Sequence, residues 1–219
     1  MKRRTLDTLF TAGGFGIAVL LLVLGVVMTT NGNFAKHYVH DQLAQQHIAF
    51  KPAASLTKEE AASPCLVAFA GQKLTSGKQA ECYANDFIGL HVKATAGGKT
   101  YADLGTPQSA LTAQIAAMAP TDPALSGLKT QLTALTAQRD TLFKGETLRG
   151  LLLTSYGFSV FGDKAAQASG VAFGASALLA LLSIAGVAHA VKTPATEEFA
   201  AAEPATSGRK PKRLVPAVR

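Results

Sequence analysis

Two long apolar runs without a formal charge bracket this chain, at residues 11–28 and 165–191, the second most apolar over 170–188. A helix needs about 20 apolar residues to cross the hydrocarbon layer of a bilayer. Both runs reach that length, and the 136 residues between them are mixed in polarity. The pattern predicts a mainly α, integral membrane protein. Its expected architecture is two antiparallel transmembrane helices with a mostly helical extracytoplasmic domain, closed by one disulfide.

The flanks set the expected orientation. Lys2, Arg3 and Arg4 precede the first run; Lys192, Arg209, Lys210, Lys212, Arg213 and Arg219 follow the second. Lys and Arg beside a span are retained on the cytoplasmic side, and two spans put both ends on one side. The net charge of +7 divides as +2 on the first ten residues, +2 on the long loop and +3 from Lys192 onward. The predicted layout is a cytoplasmic N-terminus (1–10), span one (11–30), an extracytoplasmic domain (31–166), span two (167–190) and a basic cytoplasmic tail (191–219), in the inner membrane. A cleaved signal peptide is the alternative for the first run. The run exceeds an h-region in length, and Thr29-Thr30-Asn31-Gly32-Asn33 offers no small-x-small cleavage site.

The chain has two cysteines, Cys65 and Cys82, both in the loop. In an oxidising compartment such a pair is most simply a disulfide, worth about 3 kcal/mol for a loop of this length. Two buried thiols are the other reading. The spacing is neither C-x-x-C nor that of a zinc knuckle.

Helix signals dominate the loop. Residues 34–46 lack Pro and Gly and can prolong span one, with Gly32 the weak point and Lys51-Pro52 the stop. Thr57-x-x-Glu60 and Ser76-x-x-Gln79 match capping boxes. The second opens a helix expected to run to Ala96 and end at Gly97-Gly98, with Ala80, Ala84, Phe87, Ile88 and His91 on one face. Residues 66–70 read as the one strand-like piece. Thr106-Pro107 and Asp122-Pro123 start two helices, 107–118 and 123–142, expected to pair as a hairpin. The second carries a 3-4 stripe of Leu125, Leu128, Leu132, Leu135 and Leu142, interrupted by Arg139. Gly145 marks a bend. Residues 31–47 and 146–166 should pack as a membrane-proximal stem, with Phe158, Phe161 and Tyr156 covered by Phe34, Tyr38 and Leu43. Gly14, Ala18, Gly170 and Gly174 supply small helix-packing positions; Gly170-Val171-Ala172-Phe173-Gly174 is a GxxxG match. It can serve a homodimer through span two or, as preferred here, packing between the two spans of one chain.

Few residues suggest chemistry. Gly98-Lys99-Thr100 lacks the earlier P-loop glycine, since residue 93 is Lys93, and it follows a helix instead of preceding one. His37, His40 and Asp41 share a helix surface at i, i+3 and i+4 and are the weak metal candidates. His91 and Tyr101 are expected in the core or a pocket. No cofactor and no nucleic-acid partner is called for. In the tail, Arg209, Lys210, Lys212 and Arg213 either contact anionic lipid headgroups or act only as a topology signal.

The stretches Ala84-Asn85-Asp86-Phe87-Ile88-Gly89-Leu90-His91, Gly98-Lys99-Thr100-Tyr101-Ala102 and Leu142-Phe143-Lys144-Gly145-Glu146-Thr147-Leu148 carry a resemblance. There the chain is similar to a family of small, uncharacterised actinobacterial two-span membrane proteins. The resemblance implies a cytoplasmic membrane location facing the cell-wall space. Some members have been labelled ring-opening dioxygenases, a label that no motif of this chain supports. The expected function is a non-catalytic accessory or scaffolding role beside another membrane or envelope protein. The alternatives are an extracytoplasmic ligand-binding or sensing protein and, third, a metal-dependent envelope enzyme.

Overall fold

The computed structural model describes residues 3–194 and 197, and among these it is helical without a regular strand. Two helices are long: α1 (Arg3–Ala44) and α7 (Leu125–Lys192). Between them lie α2 (Lys58–Ala61), α3 (Pro64–Ala68), α4 (Gly77–Cys82), a π-helical turn (Tyr83–Ile88), α5 (Gly89–Thr95) and α6 (Gly105–Ala116). At 1.5 Å per residue, α1 is about 63 Å long and α7 about 100 Å. Each holds one stretch long and apolar enough to cross a membrane.

Helix α1 runs on through Gly32 to Ala44, as the Pro- and Gly-free stretch 34–46 allowed, while α7 passes uninterrupted through Gly145, where a bend was expected, into the second apolar run. Neither contains Pro. An interior Gly costs only about 1 kcal/mol relative to Ala, which packing readily offsets.

The chain divides into two compact units. The first holds the described residues of Met1–Leu24 and Val171–Arg219. Its buried positions within the helices are small, Ala18 on α1 and Ala172, Ser176, Ser183 and Ala190 on α7, with Thr11, Gly14 and Gly186 half-buried beside them. Ser176 Oγ donates to the Ala18 carbonyl at 2.7 Å. A Cβ at Gly14 would lie 2.8 Å from Ser183 Oγ. Gly14 and Ala18 thus sit where backbones approach. Gly170 and Gly174 do not: both are exposed, with nothing within 4 Å of an added Cβ. The seam uses Ala172 and Ser176, two residues along from each glycine and so on another face. His189, inside the second apolar run, lies 3.2 Å from Asp7.

The second unit is Gly25–Gly170. Gly32 and Gly162 let α1 and α7 touch through backbone: a Cβ on Gly32 would stand 3.0 Å from the Gly162 carbonyl. Lys36 pairs with Asp163 at 3.0 Å. Val39, Leu43 and Leu152 then enter a core with Phe50, Leu66, Leu74, Ala80, Cys82, Ala84 and Ile88. The aromatic residues do not cover one another as expected. Phe34, Tyr38, Phe158 and Phe161 stay exposed, with Tyr38 and Phe158 touching edge to face, while small residues take the contact. Tyr156 is half-buried and faces Lys78 instead.

Short helices close this core. The Thr57 capping box starts α2 and the Ser76 capping box starts α4. Residues 66–70 are not strand-like. Ser63 Oγ accepts from Leu66 N, Pro64 takes the first turn, and α3 results. The nearest approach to sheet is one bridge, Ala49 to Lys73, flanked by Phe50 N to Gln72 O and Leu74 N to Ile48 O, both 2.9 Å. Cys65 and Cys82 form a disulfide tying α3 to α4, with Cα atoms 6.0 Å apart. Helix α6 begins at Gly105 and not after Thr106, and Leu104 precedes it without a side-chain cap. Thr100 and Asp103 organise the turn before it: Asp103 Oδ2 accepts from Thr100 N and Oγ1 at 2.8 Å each. Helix α6 rests on α7 through Gln108, which donates to Thr136 and accepts from Arg139. Arg139, the break in the leucine stripe, also lies 4.0 Å above the Tyr101 ring.

Candidate functional site

A cleft of about 570 Å³ opens in the second unit. Its walls are the ends of α2 and α3 (Glu59, Ser63), the π-turn and α5 (Asn85 to Lys93), the turn at Gly98–Tyr101, and Glu146 and Arg149 of α7. The π-turn shapes it. Gly89 N bonds to the Ala84 carbonyl, five residues back, so the helix gains an extra residue and its faces rotate. Ala84 and Ile88 stay buried, Asp86 turns to the cleft, and His91 turns to the surface.

The far wall is a helix ending. Gly98 N donates to Lys93 O at 2.8 Å and Gly97 N to Ala94 O at 3.4 Å, with φ of +86° and +58° at Gly98 and Gly97. This is a Schellman cap, and left-handed backbone is why two glycines stand there. The Gly-Lys-Thr sequence is therefore a capped helix end, as its neighbours implied.

Most acidic groups of the cleft are already engaged. Asp86 Oδ2 accepts from Ser63 Oγ at 2.8 Å and lies against Cys65 Sγ, which has no proton to donate once in a disulfide. Glu146 accepts from Arg149 Nη1 at 3.2 Å. Arg149 Nη2 donates to Asn85 Oδ1 at 3.3 Å, and its guanidinium lies over Gly89. Arg149 Nε is buried and has no partner among the described residues.

Beside the cleft lies a buried ionic knot. The Glu60 side chain is fully buried. One carboxylate oxygen accepts from Lys51 Nζ at 2.7 Å and is 3.4 Å from His91 Nε2; the other accepts from Thr57 N at 2.8 Å. The Lys51 hydrogen bond, then the Thr57 N–H, hold the Glu60 carboxyl below its ordinary value of 4.5 against the opposing effect of burial. Burial, then the Glu60 charge, push the neighbouring Tyr83 hydroxyl up.

His91 and Tyr101 are thus not core residues. Half of the His91 side chain is exposed; it is absent from the cleft lining, and its Nδ1 faces Phe87 O at 2.7 Å. Tyr101 is 40% exposed but does line the cleft. His37, His40 and Asp41 are exposed, and their ligand atoms do not converge. Among the described residues, the one convergence of three ligand-type side chains is Cys65, Cys82 and Asp86. Its sulfurs are bonded to each other, so it offers no thiolate to a metal. Arg209, Lys210, Lys212 and Arg213 lie outside the described residues. The residues that sequence reasoning missed are Arg149, Lys93 and Lys99. The paired glycines after Lys93 were the available signal for the two lysines, while nothing local announced Arg149. No family model, curated protein or solved structure matches the chain.

Proposed function

We propose that the chain is a two-span protein of the cytoplasmic membrane. In this reading its second unit stands outside the cell and serves as a non-catalytic accessory or scaffolding element, docked on another membrane or envelope protein. The opposite runs of the contacts Asp7–His189, Gly14–Ser183 and Ala18–Ser176 support antiparallel spans. The spent state of Glu60, Asp86 and Glu146 favours structure over acid–base chemistry.

One observation carries the docking role. Leu148, Leu151, Phe158 and Phe161 of α7 are 41%, 62%, 39% and 66% exposed. A span beginning near Ala165 leaves Leu151 about 20 Å and Leu148 about 25 Å beyond the bilayer surface, at 1.5 Å per residue. Lipid does not reach Leu148 and Leu151, and exposed apolar patches of this kind mark interaction sites; Phe158 and Phe161, about 10 Å and about 6 Å along the helix from Ala165, lie near headgroup depth. A photo-crosslinking residue at Leu151 should therefore yield one discrete protein adduct in intact cells. Leu148→Glu should abolish that adduct while leaving the disulfide and helix content unchanged. Recovery of the bare chain alone, with no adduct, contradicts docking; a self-adduct assigns the stripe to a homodimer.

A second reading, ligand binding by the extracytoplasmic unit, is favoured by the cleft itself.

A further inference from the structure

The geometry points to the cleft between the π-turn, the Schellman cap and α7 as a binding site for a small molecule bearing an oxyanion. Carboxylate or phosphate is the recognised group, and Lys93 and Lys99 are the residues that hold it. This goes beyond the docking role and needs only the second unit in its folded form.

Volume comes first. About 570 Å³ lies within the range of small-molecule sites, roughly 300–1,000 Å³. The sign of the unspent groups comes second. Glu146 is paired with Arg149; Asp86 accepts from the neutral Ser63 hydroxyl and keeps its charge, and Glu59 has no side-chain partner among the described residues. Lys93 and Lys99 also have no carboxylate within ion-pair distance among the described residues. Arg149 spends Nη1 on Glu146 and Nη2 on Asn85, and its Nε is buried away from the cleft's open volume. The charged donors of the lining left without an ion-pair partner are therefore Lys93 and Lys99, which an oxyanion satisfies.

Preorganisation comes third. The Schellman bond from Gly98 N to Lys93 O holds the two lysines on either side of one rigid turn. Nothing lies within 4 Å of a Cβ placed on Gly97 or Gly98, so the glycines leave that wall open. The Arg149 side chain packs beside Gly89, with Nε 3.5 Å from where a Cβ would stand, an ordinary contact distance. Leu90, Val92 and Tyr101 supply an apolar wall, so the ligand has a carbon body as well as an anionic end.

The test uses the full chain in nanodiscs at fixed ionic strength, with inorganic phosphate, phenyl phosphate and phenylacetate as probes, followed by calorimetry. Saturable binding of phenyl phosphate or phenylacetate is expected; which one binds more tightly assigns the anion class, and inorganic phosphate should bind more weakly than phenyl phosphate. The double variant K93Q/K99Q should weaken binding about tenfold or more, the scale on which charge-assisted hydrogen bonds contribute. K129Q/K144Q removes the same charge away from the cleft and should change affinity less than about twofold, as screened surface charge does. Equal effects of the two double variants, or no saturable binding of any probe, overturn the site. The Leu151 adduct should persist in K93Q/K99Q, so failure of the site and failure of docking read out separately.

Discussion

Glu60 shows how one residue can fasten several elements. It completes the Thr57 capping box, binds Lys51 from the segment after α1, and faces His91 on α5. Its capping role was legible because a capping box is local: four residues of sequence contain it. Its burial and its two basic neighbours were not, because they depend on segments brought together only by folding. Replacing it by Gln keeps the shape and removes the charge. Glu60→Gln should cost about 2 kcal/mol, as hydrogen bonds to charged groups do, read from the urea unfolding midpoint of the full chain in detergent. The Glu60 carboxyl is held below its ordinary 4.5 when folded, so the unfolded chain binds more protons between the two values. That stability is fully present above the ordinary value and is lost as pH falls through the lower, folded one. The wild-type chain should therefore lose more stability on acidification than Glu60→Gln; identical acid limbs would remove Glu60 from this role.

At the scale of elements, small residues decide which helix faces meet. The apolar runs, the two capping boxes, the Gly97-Gly98 stop and the disulfide partners were readable, since each is a composition or a short spacing. The unbroken length of α7 was not, because Gly145 reads locally as a bend and its close approach to Val92 is made only on folding. The GxxxG match misled because the motif shows that a close approach is sterically open, not that it is used. The π-turn had no sequence signal, and it moved His91 out of the core. These placements separate under substitution. Gly32→Leu drives a side chain into the Gly162 backbone and should destabilise the chain by about 2 kcal/mol or more, the scale of overpacking. Gly170→Leu and Gly174→Leu meet nothing within the chain and should leave the unfolding midpoint unlowered, with a rise of up to about 1 kcal/mol from helix propensity. If they lower it, or if they change a crosslinked dimer population, the open face is in use.

For the whole molecule, the covalent tie and the two apolar stretches belong to one account. The Cys65–Cys82 disulfide closes 17 residues of sequence across α3 and α4. Replacing both cysteines by Ser should cost about 3 kcal/mol in the chain-entropy estimate, and mild reduction of the wild type should mimic it. Both effects require oxidising surroundings for the second unit, and so lead back to topology. Reporter insertion in the turn at residues 118–123, between α6 and α7, tests this most directly. A periplasm-dependent alkaline phosphatase placed there should be active and a green fluorescent protein dark, while the same reporters fused at the C-terminus should give the opposite pattern. Fluorescence from the turn, with phosphatase inactive there, would put the second unit in the cytosol and contradict the account.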